Sequence, residues 1–165
     1  MNAQPSVEQR SGWRLARPAL HSRPMEPEGH SVAIVLRGPL LDGLGEGQRF
    51  MAIDWVRQRF RALLGIDPHP GTVNVRLEGE EQRAALARLR AARGIAIPPE
   101  PGFCAATAYH ATILGAAGRA GLPAALVIPH VPGYPQDQIE LVAAVHVRAA
   151  LALQTGDLVT ITVRP

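Results

Sequence analysis

The chain has 165 residues, 47% hydrophobic and only 4% aromatic, enough for one globular domain whose core is built from Ala, Val, Leu and Ile. All 17 basic residues are arginines, which excludes Schiff-base lysines, the P-loop lysine and the strand lysine of protein kinases. The net charge of +3 admits an anionic partner, although a solvated basic face is its commoner origin, so charge alone does not argue for nucleic acid.

Residues 1–30 mix Pro, Arg, Ser, Glu and His without apolar periodicity, and Pro5, Pro18, Pro24 and Pro27 break any helix that starts there. We read 1–30 as a flexible leader, too short and Pro-rich for a helix-turn-helix, and 31–165 as the domain. Residues 32–36 form a β-type run that the turn-forming Gly38-Pro39 pair is expected to stop. Three glycines in five residues, Gly43, Gly45 and Gly47, then imply a tight loop. Ile53, Val56, Phe60, Leu63 and Leu64 recur at helical spacing, predicting an amphipathic helix over 50–64 that ends near Gly65.

The Asp67-Pro68-His69-Pro70-Gly71 run reads as a turn, and 72–77 alternates like a half-buried strand. A second helix is predicted over 80–93, closed at Gly94. Strands follow at 94–97, 103–114, 124–128 and 139–143, and a clean alternating strand at 157–163. Many short strands with two inserted helices, and no βαβ rhythm, point to a mainly β fold, a closed or nearly closed barrel.

Several residues are candidates for chemistry. The amides of the Gly43-Leu44-Gly45-Glu46-Gly47 segment can face a polyphosphate unobstructed, or the segment is a hairpin turn. Thr72 and Asn74 lie two apart on a strand and share a face; a hydroxyl and an amide oxygen suit Mg²⁺, or they decorate an edge. Glu140 is a lone carboxylate among apolar residues, able to accept a substrate hydroxyl's proton or to face solvent. Arg148 could pair with phosphate bidentately. The six histidines are scattered, so exposed or satisfied imidazoles are the better reading. Cys104, the single cysteine, cannot form an internal disulfide and reads as a buried structural thiol. No secretory segment or apolar run near the roughly 18 residues of a membrane span is present, so a cytoplasmic protein without membrane contact is expected.

The order and spacing of these pieces resemble the archaeal CTP-dependent riboflavin kinases. The resemblance covers about residues 32–164 and rests on Gly43 to Gly47, the run from Leu64 to Val75, Gly102-Phe103, Val127 to Pro129, Ile139 to Ala143, Arg148 and Gly156-Asp157. It implies a six-stranded cradle-loop β-barrel binding CTP and Mg²⁺ and transferring the γ-phosphate to the ribityl 5′-hydroxyl of riboflavin, giving FMN and CDP. It further implies that Gly43, Leu44, Gly45, Glu46, Gly47 and Gln48, with Val145, His146, Val147 and Arg148, hold the nucleotide. Thr72 and Asn74 would coordinate Mg²⁺, and Glu140 would contact the flavin and act on the hydroxyl. The chain departs from the family pattern at the flavin position Pro132, where a Thr is usual, and at Ala144, where a Pro is typical. A monomer with no nucleic-acid partner is expected. The competing readings are a non-catalytic flavin- or nucleotide-binding regulatory barrel and a kinase for another small alcohol.

Overall fold

The computed structural model describes residues 32–43, 46–115 and 121–165. The expected leader at 1–30, together with Leu44 and Gly45, lies outside the described residues. Among the described residues the elements run β1 (Ile34–Leu41), α1 (Glu46–Met51), α2 (Asp54–Leu64), β2 (Val73–Arg76), α3 (Gly79–Ala91), β3 (Ile95–Ile97), β4 (Ala106–Leu114), β5 (Leu122–Pro129), β6 (Gln138–Ala143), α4 (Val147–Leu151) and β7 (Leu158–Arg164). The strands pair antiparallel in the order β4-β5-β6-β2-β1-β7, and β7 returns to pair with β4, closing a six-stranded barrel. Closure leaves no open edge in that ring. Strand β4 is long enough to serve two neighbours: Ala106 to Ala108 pair with β3, and His110 to Leu114 with β7.

Two apolar layers follow from the period-2 alternation of side chains. Leu36, Leu40, Val75, Ile113, Leu126, Ile139, Leu141 and Ile161 point into the barrel and meet Leu86 and Leu89 of α3. Residues of opposite parity, Ala106, Ala108, Ala125, Val127 and Val142, point outward and are covered by Val56, Phe60 and Leu64 of α2. Each of these three helix side chains is nearly fully buried, contributing about 1.5–3 kcal/mol. The alanines beneath them leave room for the helix to approach. Burial on both faces also explains why β5 reads as a continuous apolar run rather than an alternating one.

Two expectations are corrected. Gly38-Pro39 does not stop the first strand; β1 runs through it to Leu41. A Cβ at Gly38 would lie 1.8 Å from the Arg76 carbonyl oxygen, so the glycine permits a close crossing with β2. There β1 changes neighbours, from β7 up to Pro39 to β2 at Leu40 and Leu41. The first helix is also split: Ile53 is extended (φ −73°, ψ 127°), separating α1 from α2. The helix end at Gly65 is as expected, with a left-handed φ of 66°.

Candidate active site

One row of the sheet ladder assembles the site. Leu41 lies opposite Asn74, Asn74 opposite Glu140, and Glu140 opposite Val127. Such cross-strand partners sit about 5 Å apart with side chains on the same face. That face is the outer wall of the barrel, because the neighbours in sequence, Val73, Val75, Ile139 and Leu141, fill the interior. Thr72, just before β2, shares the face with Asn74. A cavity of about 980 Å³ opens here, within the range of small-molecule sites. Thr72, Asn74 and Glu140 line it, as do Gly43, Gly47 and Gln48 of the glycine segment and the 145–148 run. The Glu46 side chain lies outside the described residues.

The glycine segment reaches the oxygen donors by direct contact. A Cβ on Gly47 would sit 2.4 Å from Thr72 Oγ1, so α1 rests against the residue that leads into β2 at a spacing that glycine allows. Arg148 secures the other end of the segment: it donates to the Leu41 carbonyl at 2.6 Å and to Thr155 Oγ1 at 2.9 Å, with Asp42 at 3.9 Å. Thr155 in turn donates to Asp42. Both terminal guanidinium nitrogens are thus engaged by protein oxygens, and Arg148 organises the chain entering the glycine segment.

A polar network links the two central side chains. Gln138 donates to Asn74 Oδ1 at 3.2 Å, and the Tyr134 hydroxyl donates to Glu140 Oε1 at 2.9 Å. Burial first, then the adjacent Glu140 carboxylate, push the Tyr134 phenol well above its ordinary value, so it remains a proton donor. Pro132 is exposed in the same turn and does not line the cavity, whereas its neighbours Val131 and Tyr134 do.

The cavity also has an aromatic wall, Phe50 and Trp55, with Phe103 packed against both; these three of the chain's seven aromatics have ring centroids 4.9–6.3 Å apart. The break at Ile53 brings Phe50 and Trp55 edge to face, and Arg59 pairs with Glu100 at 2.6 Å, fastening the segment that carries Phe103 to α2. Cys104 follows Phe103 and is exposed at the cavity, not buried as expected, because it precedes β4 rather than lying within it. His69 and His146, far apart in sequence, meet here with centroids 5.3 Å apart. Backbone folding accounts for the pair: the His69 amide donates to the Ala143 carbonyl at 2.8 Å, next to the α4 cap formed by His146.

Spacing alone foretold the shared face of Thr72 and Asn74. Gln138, Tyr134, Trp55 and Arg59 were missed, since none stands in a motif, and the one available signal was the rarity of aromatics; His69 lies in the Leu64 to Val75 run but was read only as part of a turn.

A family model, CTP-dep_RFKase, described as a domain of unknown function (DUF120), matches residues 40–163. The chain is 36% identical over 130 residues to a riboflavin kinase of Methanopyrus kandleri, covering 79% of this chain and 83% of that one. It is 34% identical over 131 residues to a riboflavin kinase of Archaeoglobus fulgidus and 33% identical over 135 residues to one of Methanocella arvoryzae. Each of these alignments covers 79% of this chain, and the chain spans only 54% and 57% of those two relatives.

Proposed function

We propose, because the chain belongs to the CTP-dependent riboflavin kinase family, that residues 31–165 transfer the γ-phosphate of CTP to the ribityl 5′-hydroxyl of riboflavin, giving FMN and CDP. The observation that carries this reading is the ladder row Leu41, Asn74, Glu140, with Gly47 pressed on Thr72 beside it. It sets glycine backbone, oxygen donors and a carboxylate along one wall of one cavity. Phosphoryl transfer asks chiefly for alignment and charge compensation, and little covalent chemistry from the protein.

In this reading the triphosphate lies between the glycine segment and the 145–148 run. Thr72 Oγ1 and Asn74 Oδ1 would hold Mg²⁺, and they fit that ion: two neutral oxygens on one face leave most of its coordination to phosphate and water. When bound, the ion supplies neutralising charge to the phosphates. Glu140 accepts the hydrogen bond of the 5′-hydroxyl and takes its proton as the new O–P bond forms and the bond to the departing CDP breaks. The tricyclic flavin ring rests on the wall of Phe50 and Trp55, which offers it apolar aromatic surface. Arg148 acts through Leu41, keeping the strand end and glycine segment in place.

The test is an assay of product mass with riboflavin, Mg²⁺ and either CTP or ATP. FMN and CDP are expected with CTP, at least about tenfold faster than with ATP. Asn74→Ala is expected to lower turnover by about a hundredfold or more while the far-ultraviolet spectrum is retained. Tight riboflavin binding without product from any nucleotide would establish the non-catalytic barrel instead. Full activity in Asn74→Ala would remove the metal site.

A further inference from the structure

We infer that Tyr134 is a positioning residue for the transfer, holding the Glu140 carboxylate in the place where it meets the substrate hydroxyl; the inference rests on the kinase reading above. Tyr134 belongs to the turn between β5 and β6, and its hydroxyl donates to Glu140 Oε1 at 2.9 Å. A carboxylate on a strand has two side-chain torsions within the side chain and a broad third one, and a hydrogen bond from a fixed donor selects among them. The donor here is fixed from several directions. The Tyr134 amide donates to the Val131 carbonyl at 3.1 Å, and the Gln136 side chain donates to the Tyr134 carbonyl at 3.1 Å. Arg90 of α3 in turn donates to the Gln136 side chain, tying the turn to the helix whose Leu86 and Leu89 meet the barrel interior.

The bond also has one polarity. A phenol kept protonated by burial beside a carboxylate can only donate to it, so Glu140 is held as the acceptor. Gln138, four residues beyond Tyr134, donates to Asn74 Oδ1 at 3.2 Å. Two hydrogen bonds, Tyr134 to Glu140 and Gln138 to Asn74, therefore flank the backbone pairing of Asn74 with Glu140. The donor side and the acceptor side of the reaction are thereby held in one frame, the condition under which a displacement of about 1 Å costs about a hundredfold in rate.

Tyr134→Phe removes the hydroxyl and leaves the ring. Its kcat with riboflavin is expected to fall about ten- to hundredfold, the range of a hydrogen bond to a charged group. KM for CTP should stay within about twofold of wild type and the melting temperature should change little. A purely structural role would instead raise KM for both substrates and lower the melting temperature. Riboflavin binding, followed by quenching of flavin fluorescence without nucleotide, supplies the second readout. Tyr134→Phe should weaken it at least about threefold in the wild type and by less than about 1.5-fold in a Glu140→Ala background. An unchanged kcat, or equal weakening in both backgrounds, overturns the inference while the kinase reading stands. A wild-type protein that makes no FMN overturns the kinase reading and this inference with it.

Discussion

Replacing Gly47 by Ala sets two effects of opposite sign against each other. Gly47 is helical in α1, where Ala is ordinarily favoured by about 0.5–1 kcal/mol. The new Cβ, however, would lie 2.4 Å from Thr72 Oγ1, 3.0 Å from Cγ2 and 3.1 Å from Cβ. Relief to ordinary contact asks for a displacement of about 1 Å. Rotating Thr72 about χ1 moves Oγ1 but leaves its Cβ in place, so part of the overlap persists and α1 must also give way. Overpacking of this kind costs about 1–3 kcal/mol, which exceeds the helical gain. The net expectation is destabilisation by about 0.5–2 kcal/mol, a fall in melting temperature of about 2–8 °C for a domain of this size.

Either way of relieving the contact displaces the Thr72 oxygen, so activity should suffer more than stability, by about a hundredfold. Turnover measured across a Mg²⁺ titration, beside ligand-free thermal melts, separates the two. In a Thr72→Ala background, which lacks Oγ1 and Cγ2 but keeps the Cβ at 3.1 Å, the stability cost of Gly47→Ala should shrink without disappearing. A Gly47→Ala protein that melts at or above the wild-type temperature and turns over normally would refute the contact and the role given to it.

Two further outcomes follow from the same geometry. Trp55→Ala removes part of the aromatic wall and should raise KM for riboflavin about tenfold, the worth of one stacked ring, while leaving KM for CTP unchanged; a rise for CTP instead would place the nucleotide on that wall. Asp67 pins the turn after α2 between Arg57 at 3.0 Å and Arg61 at 2.7 Å, and its hydrogen bond from Arg61 holds the carboxyl below the ordinary range. A depressed carboxyl stabilises the fold above its unfolded pKa of about 3.9 and loses that contribution as pH falls through the folded value. Melting temperatures between pH 2 and 6 should therefore fall more steeply for wild type than for Asp67→Asn, the two curves converging in acid; parallel curves would show that the clamp is not linked to folding.

Much of this molecule is legible locally. Apolar alternation in 72–77 and 157–163, helical spacing in 53–64 and the stop at Gly65 each follow from the chain within one or two turns, and the strand count with no βαβ rhythm already argues for a barrel. Thr72 and Asn74 share a face for the same local reason, since a strand repeats every two residues. Gly38-Pro39 shows where local reading fails: the pair is a turn signal by propensity, yet it lies inside β1 because a neighbouring strand passes close enough to need a residue without a side chain. Cys104 misleads likewise, since an apolar stretch does not say which of its residues precede the strand proper.

Sequence alone determined which residues alternate and which elements they form, because those depend on torsion preferences and side-chain period over a few neighbours. Tertiary structure decided which of a strand's two faces would carry the chemistry: the barrel took Val75 and Leu141 inward, leaving Asn74 and Glu140 on the wall beneath α1 and α2. Register between β2 and β6 then placed those two side chains opposite each other and brought Tyr134 and Gln138 to them. That choice is made by hydrogen bonds between segments some 65 residues apart, and a shift of one position would turn the same side chains to the other face.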